Sequence, residues 1–331
     1  MAPADAGRHS RGRRRGYITR RTCGLPVRLS PYLGIALAVV SVSTSAIFIA
    51  WSTSPFITIA LYRLALACLI LAPFALLSPR RPLRGLQRRD LLGMVGVGAI
   101  LATHFTLWIG SLKIEGVSVS VASSVILVTS HPLLVGLLSH FVLRERLNAW
   151  MAFGISLGFS GVVVIAIADS AARNASLIGD LLAFFGGIAA GLYLLAGRRY
   201  RQRIPLLAYA FVVYVSATGV LFLYALGLGE SLVPVGDLRT ELLLFLAMAV
   251  IPQIGGHTLY NWSLRWVPAP IVSLSLVGEP IGSSLLAWVL LNQVPGIAVA
   301  FGGALALAGI YLTVMGQGTQ MREPTATRDV E

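Results

Sequence analysis

Hydrophobic residues in this chain fall in long unbroken runs separated by short polar connections. A helix that crosses a bilayer needs about 20 mostly apolar residues. Such runs occur at Tyr32–Trp51, Phe56–Leu77, Leu91–Leu112, Val117–Leu143, Ala149–Ala168, Ile178–Gly197, Leu207–Gly227, Leu242–Leu264, Ile271–Leu291 and Val294–Met315. The fourth is longer than required, which predicts tilt or extension past the membrane. Membrane strands would instead show short alternating runs. The pattern predicts an all-α integral membrane protein with ten transmembrane helices.

Composition supports the pattern. Only 12% of the 331 residues are charged, against about 25% in an ordinary soluble domain. Mean hydropathy is +0.80. A soluble chain would lack the charged residues to cover its surface. The net charge of +13 raises nucleic acid as a partner, but the positions of the charges exclude it. Eight of the 26 basic residues (Arg8, Arg11, Arg13, Arg14, Arg15, Arg20, Arg21 and Arg28) precede residue 29, and most others sit between apolar runs. That leaves no basic face on a folded domain. Two cysteines, Cys23 and Cys68, make no disulfide framework. Cys68, inside an apolar run, reads as a small packing residue.

The positions of Lys and Arg set the expected orientation. With the N-terminus inside, the cytoplasmic connections carry Arg80, Arg81, Arg84, Arg88, Arg89, Arg144, Arg146, Arg198, Arg199, Arg201, Arg203 and Arg265, and the C-terminal tail adds Arg322 and Arg328. The outside connections carry only Lys113, Arg173 and Arg239. Ten spans with both ends cytoplasmic satisfy this bias, and nine would break it. Residues 1–31 read as a basic cytoplasmic tail, with the length and Arg-Gly bias of disorder. Residues 316–331 read as a second cytoplasmic tail.

The chain also repeats itself. Pro132, Gly154 and Gly161 each have a partner 148 residues later, in Pro280, Gly302 and Gly309. His104 and Leu112 echo His257 and Leu264 at slightly different spacing. Residues 32–168 and 178–315 therefore read as two copies of a five-helix unit. Five is odd, so the copies are expected in opposite orientations. Inverted repeats of this kind characterise secondary transporters.

Polar residues at membrane depth are the candidates for function, because burying them costs several kcal/mol unless they pair or meet water. Arg63 lies in the second span, where it either snorkels to the outer headgroups or faces a cavity and binds an anionic group. Glu279 precedes Pro280, which breaks the helix there. It is read either as a proton-coupling or cation-holding carboxylate or as a neutral structural one. His131, before Pro132, occupies the equivalent place in the first copy, and a proton-linked His–Glu pair stands against a packed histidine. His104 and His257 also correspond. Trp108 lies near the first, and Tyr260 and Asn261 near the second. These five groups suit either a ligand lining or, for the aromatics, interfacial anchoring. The spacing of His104, His131, His140 and His257 is not that of a metal site. Glu145 between Arg144 and Arg146 reads as local pairing or a helix cap. Asn174-Ala-Ser176 fits a weak glycosylation pattern. Nucleotide-binding and hydrolase motifs are lacking, so neither an ATP-driven pump nor an enzyme is expected.

With these motifs in order, the chain resembles the EamA family of the drug/metabolite transporter superfamily. Tyr62-Arg63 leading into Leu64-Ala65-Leu66-Ala67, then Pro132, Leu143-Arg144-Glu145-Arg146-Leu147, Gly154 and Gly161 carry the likeness in the first copy. Gly278-Glu279-Pro280 and Ala308-Gly309-Ile310 carry it in the second. Two positions depart from the family pattern: Asn292-Gln293-Val294-Pro295 replaces a charged helix end, and His131 precedes the first-copy proline. The resemblance implies a ten-helix inverted-repeat carrier of the cell membrane that moves small metabolites, often by export, with a proton or substrate gradient as the driving force.

The expected function is therefore export of a small amino-acid-like or drug-like metabolite by alternating access. Arg63, His104, Trp108, His257, Tyr260 and Asn261 are the expected substrate contacts. Glu279 and His131 are the expected proton-coupling pair, and Pro132 and Pro280 the helix breaks. The expected partners are the substrate, membrane lipids and protons. No cofactor or metal is expected, and a homodimer is left open. A membrane sensor or scaffold, or an intramembrane lipid-modifying enzyme, is the alternative.

Overall fold

The computed structural model of the chain describes residues 30–77, 83–116, 119–133, 148–171, 177–267, 272 and 275–320. Residues 1–29 and 321–331 of the expected tails, the sequon at Asn174, His140, and the Arg144-Glu145-Arg146 cluster lie outside these residues, whereas residues 316–320, expected in the C-terminal tail, continue the last helix. Every regular element described is a helix. The first half comprises α1 (Pro31–Ser43), α2 (Ser45–Trp51), α3 (Phe56–Leu76), α4 (Arg88–Lys113), α5 (Val121–Val128) and α6 (Ala149–Ala171). The second comprises α7 (Leu177–Arg201), α8 (Leu206–Leu228), α9 (Leu238–Met248), a π-helix (Ala249–Thr258), α10 (Leu259–Ser263), α11 (Gly278–Leu291) and α12 (Ile297–Gln320).

Eight helical stretches among the described residues are long and apolar enough to cross a membrane. Two shorter apolar helices, Val121–Leu133 and Gly278–Leu291, stand where the fourth and ninth spans are expected. Parts of both expected spans fall outside the described residues, so the described residues hold eight helices of spanning length and two shorter ones.

Local chemistry places several helix ends. Pro55 and Pro205 stand immediately before α3 and α8, where a missing N–H costs no helical hydrogen bond. Asp237 caps α9 by accepting from Thr240 N at 2.8 Å and Thr240 Oγ1 at 2.6 Å. Those bonds to Thr240 hold its carboxyl below the usual range. Asn148 caps α6 by accepting from Met151 N at 2.8 Å, and its Nδ2 donates to Gly316 O on α12 at 2.9 Å. Asn148→Ala is expected to cost about 1 kcal/mol through the lost cap, with a further loss through the cross-helix bond. Thermal unfolding in detergent measures it.

Equivalent helices of the two halves pack antiparallel. A Cβ on Gly154 would meet Thr313 and Gly309, and one on Gly161 would meet Ala306 and Gly302, so α12 descends as α6 ascends. Likewise Thr58 at the start of α3 donates to Ser231 O just past α8, while Cys68 further along α3 lies 3.8 Å from Thr218 within α8. Small residues let the α6 and α12 backbones approach closely, which is the main source of helix association in lipid. The outer faces are apolar: Phe74, Phe153, Ile167, Leu223, Ile297 and Phe301 are all exposed.

Both halves break their fourth helix within one residue of the same register. The first breaks in a turn at Thr129–Ser130, the second at Leu276–Val277. His131 opens the helical segment beyond the first break, and Glu279 is the second residue of the segment beyond the second. The halves differ in their third helix. His104 is sixteen residues past the start of α4, whereas His257 is nineteen past the start of α9. The wider π-helix packs more residues into each turn, and so takes up the extra length without displacing His257 from its partner.

Candidate functional site

The helix breaks and the two histidine-bearing spans meet at a cavity of about 50 Å³. It is walled by Val42, His104, Trp108, Val128, Thr129, His131, Ala190, Tyr193, Leu194, His257, Tyr260, Leu276 and Glu279. A buried water needs about 10–15 Å³, so the space holds a few waters and the walls must part to admit a metabolite. Six expected site residues are brought together here: His104, Trp108, His131, His257, Tyr260 and Glu279. Tyr193 and Thr129 join them, and nothing in the hydrophobic pattern singled those two out.

An aromatic stack forms one wall. The His104 and Trp108 rings are parallel at 5.8 Å, and His104 lies 6.2 Å from His257. Phe105 meets His257 edge-on at 5.4 Å, and Tyr193 lies 6.1 Å from the same ring. His104 Nδ1 donates to Gly186 O at 2.9 Å, and His131 Nδ1 contacts Val128 O at 3.3 Å. A carbonyl only accepts, so Nδ1 carries the proton in each ring and Nε2 of the neutral form is an acceptor. His131 Nε2, Trp108 Nε1 and Tyr260 OH are buried with no hydrogen-bond partner among the described residues. The carboxylate of Glu279 has no ion-pair partner among them either. The cavity therefore presents unmet donors (Trp108 and Tyr260) beside an unmet acceptor (His131) and a carboxylate without an ion-pair partner among the described residues (Glu279). A ligand that carries both kinds of group satisfies it, and buried polar groups left unmatched cost about 1–3 kcal/mol each.

Arg63 is not among the lining residues. It is fully buried, so it does not reach the headgroups. Its Nε donates to Gln253 Oε1 at 2.9 Å, its Nη1 donates to Ser45 Oγ at 2.8 Å, and its guanidinium lies 4.3 Å over the Phe105 ring. Phe105 separates it from His257, which puts the charge one layer behind the cavity wall. Arg63 Nη2 has no partner among the described residues. Asn261 is also outside the lining. Its Nδ2 donates to Tyr193 OH at 2.6 Å and to His257 O at 2.7 Å, so it orients a wall residue. Pro132 and Pro280 follow His131 and Glu279 directly, beside the breaks. No group of three or more His, Cys, Asp or Glu among the described residues could hold a metal ion.

Sequence reasoning missed three charged or polar anchors. Gln253 sits in the π-helix and pairs with Arg63. Arg201, which the charge pattern counted only as a topology signal, is 2% exposed, and its Nε donates to Asn261 O at 3.0 Å while Nη1 donates to Ile204 O. Glu241 is likewise 2% exposed. A search for polar residues at membrane depth would have found Gln253, whereas Glu241 and Arg201 lie at the ends of apolar runs.

Apolar outer faces, helices that pair antiparallel across two halves, and a cavity walled from both halves together fit a membrane transporter. The chain belongs to the EamA-like transporter family, whose model matches it twice, over residues 29–167 and 177–315. It is 24% identical over 259 residues to the uncharacterized transporter YdfC of Bacillus subtilis, covering 78% of this chain and 81% of that one. It is 29% identical over 261 residues to an uncharacterized transporter of Archaeoglobus fulgidus, covering 78% and 88%. A protein of Streptantibioticus cattleyicolor named "Probable terminal-alkyne amino-acid exporter" is 27% identical over 253 residues, covering 75% and 82%. A solved crystal structure at 22% identity matches with a TM-score of 0.60, over 87% of this chain and 98% of that one, and shares the fold.

Proposed function

We propose that this protein is a secondary transporter of the cell membrane. It spans the bilayer ten times as two inverted five-helix repeats, with both ends cytoplasmic. It exports a small metabolite, amino-acid-like or drug-like, by alternating access around the central cavity. Both the antiparallel pairing of α6 with α12 and that of α3 with α8 support the inversion. The observation that carries the reading is the position of His131 and Glu279. They occupy matched places in the two halves, each just past a helix break, and they wall one cavity. Broken helices at a repeat interface are where carriers bind substrate and coupling ions.

In this reading the unpaired Glu279 carboxylate takes either a proton or the cationic group of the substrate, and His131 Nε2 accepts beside it. Trp108 and Tyr260 donate to the acceptor end of the substrate, and His104, His257 and Tyr193 pack on its body. Arg63 and Asn261 hold this wall from behind. A substrate with one donor end and one acceptor end fits the unmet groups, and the printed name of the Streptantibioticus relative supports the amino-acid-like class.

The test is flux through purified protein in liposomes, with a panel of amino acids and amine-bearing drugs and with or without an imposed pH gradient. No panel member moving above protein-free vesicles would overturn the reading. Once a substrate is found, Trp108→Phe keeps the ring stack and deletes one donor. It is expected to raise KM about tenfold with little change in kcat, the loss of one buried hydrogen bond. An unchanged KM removes Trp108 from the substrate contacts.

A further inference from the structure

We propose that Glu241 is the latch of the extracellular gate, a positioning residue that holds the outer end of the cavity shut. The assignment rests on the alternating-access reading above, and its test is independent of substrate flux. Glu241 lies in the first turn of α9, and both of its carboxylate oxygens are occupied. Oε1 accepts from Thr53 N at 2.7 Å and Thr53 Oγ1 at 3.1 Å. Oε2 accepts from Ser52 Oγ at 2.5 Å and Ser54 Oγ at 2.8 Å. Three consecutive residues of the connection between α2 and α3 thus close around one carboxylate of the other repeat.

Other bonds extend the seam. Thr53 Oγ1 also lies 2.5 Å from Val235 O, Val235 N donates to Ser54 Oγ at 3.1 Å, and Thr58 Oγ1 donates to Ser231 O at 2.5 Å. Gly236 has φ of +94°, and a Cβ there would stand 2.4 Å from Thr53 Oγ1. Glycine alone permits that turn at that distance. Lys113 Nζ, from the end of α4, donates to Ser52 O at 2.5 Å and places a cation against the cluster. Asp237 and Arg239 are the charged residues beside Glu241 on its own element.

Geometry connects this cluster to the cavity. Glu241 and Gln253 stand on one continuous helical span, Leu238–Ser263. Gln253 grips Arg63, and Arg63 grips Ser45 on α2. The same span carries His257 in the cavity wall. The eighth span is therefore fastened to the first hairpin twice, once beside the cavity and once at the end that the charge bias places outside. An outward opening that separates the two repeats has to break the Glu241 cluster. Opening exchanges four hydrogen bonds to a charged group for bonds to water, and the net worth of such bonds favours the closed state. The corresponding first turn of α4 carries Asp90, which reaches the connection between α7 and α8 of the other repeat and pairs with Arg203 at 2.6 Å, with Arg203 largely exposed.

The experiment reads accessibility of the cavity from each side. In the full chain with Cys23→Ala and Cys68→Ala, Ala190→Cys puts a thiol in the cavity wall. A sulfonated methanethiosulfonate is applied to intact cells, and separately to inside-out vesicles. Glu241→Gln is expected to speed labelling from outside about tenfold, the shift that losing charge-assisted hydrogen bonds produces. Labelling from inside is expected to stay constant or slow. The paired change Ser52→Ala with Ser54→Ala removes the donors from the opposite side and is expected to reproduce the effect, which keeps the test alive should Glu241→Gln fail to fold. Unchanged outside labelling in both variants overturns the proposal. A rise from both sides also overturns it, since that is the signature of a loosened fold. Flux failure in the liposome panel would sink the transport reading without altering this labelling pattern.

Discussion

Glu279→Gln is expected to leave downhill exchange of substrate in place while removing its response to a pH gradient. The substitution keeps the volume of the side chain and its acceptor oxygen but cannot bind and release a proton. Glu279 lies in the first turn of α11, the helical segment beyond the break, where the helix dipole favours negative charge. It faces a cavity with no ion-pair partner among the described residues. Uphill flux driven by a pH gradient should fall by at least about tenfold, the worth of one charge-assisted interaction. Exchange of labelled for unlabelled substrate without a gradient measures the intact half of the cycle. If gradient-driven flux persists at the wild-type rate, proton coupling at Glu279 is wrong. If exchange is lost as well, the carboxylate binds substrate instead. His131→Gln separates the pair in the same assay, because a shared proton requires both.

The second large effect is expected at the closest helix contact. A Cβ on Gly309 would lie 2.3 Å from Gly158 N and 2.6 Å from Gly154 O. Both obstacles are backbone atoms, so no side chain can turn aside. Gly309→Val must push α6 and α12 apart, and overpacking of this kind costs about 1–3 kcal/mol or more. The midpoint of thermal unfolding in detergent should drop by several degrees at least. Gly96 and Gly219 provide the contrast, since a Cβ at either meets nothing within 4 Å. Gly96→Ala and Gly219→Ala are expected to be neutral or mildly stabilising through helix propensity. Equal losses at Gly309 and Gly96 would mean that the effect is generic to helical glycine and does not come from the contact.

The two predictions draw on different parts of the sequence signal. The glycine positions were legible because the repeat aligned Gly154 and Gly161 with Gly302 and Gly309. Their meaning as a mutual contact was not, because spacing along a helix gives a face without naming what covers it. Arg63 shows the same division. Its burial at membrane depth made it a candidate, but whether it met lipid, substrate or protein depended on Gln253 and Ser45, which are 190 and 18 residues away. Glu241 escaped notice for a sharper reason. The apolar run begins at Leu242, one residue later. A hydropathy pattern assigns such a residue to a connection, and only the folded loop at Ser52–Ser54 shows that the connection is buried.

By itself the sequence determined that this chain lives in a membrane, that its helices come in two related sets, and which polar residues lie at depth. Those properties follow from local physics: hydrocarbon excludes charge, and run length sets what can span it. Tertiary structure alone decided which polar residues share a cavity. It set His131 and Glu279 on one wall, moved Arg63 behind Phe105, and fixed Asn261 as a support. It also absorbed the uneven lengths of the third and eighth spans in a π-helix. These outcomes rest on contacts between residues far apart in the chain, where packing and hydrogen-bond pairing choose among partners that periodicity treats alike.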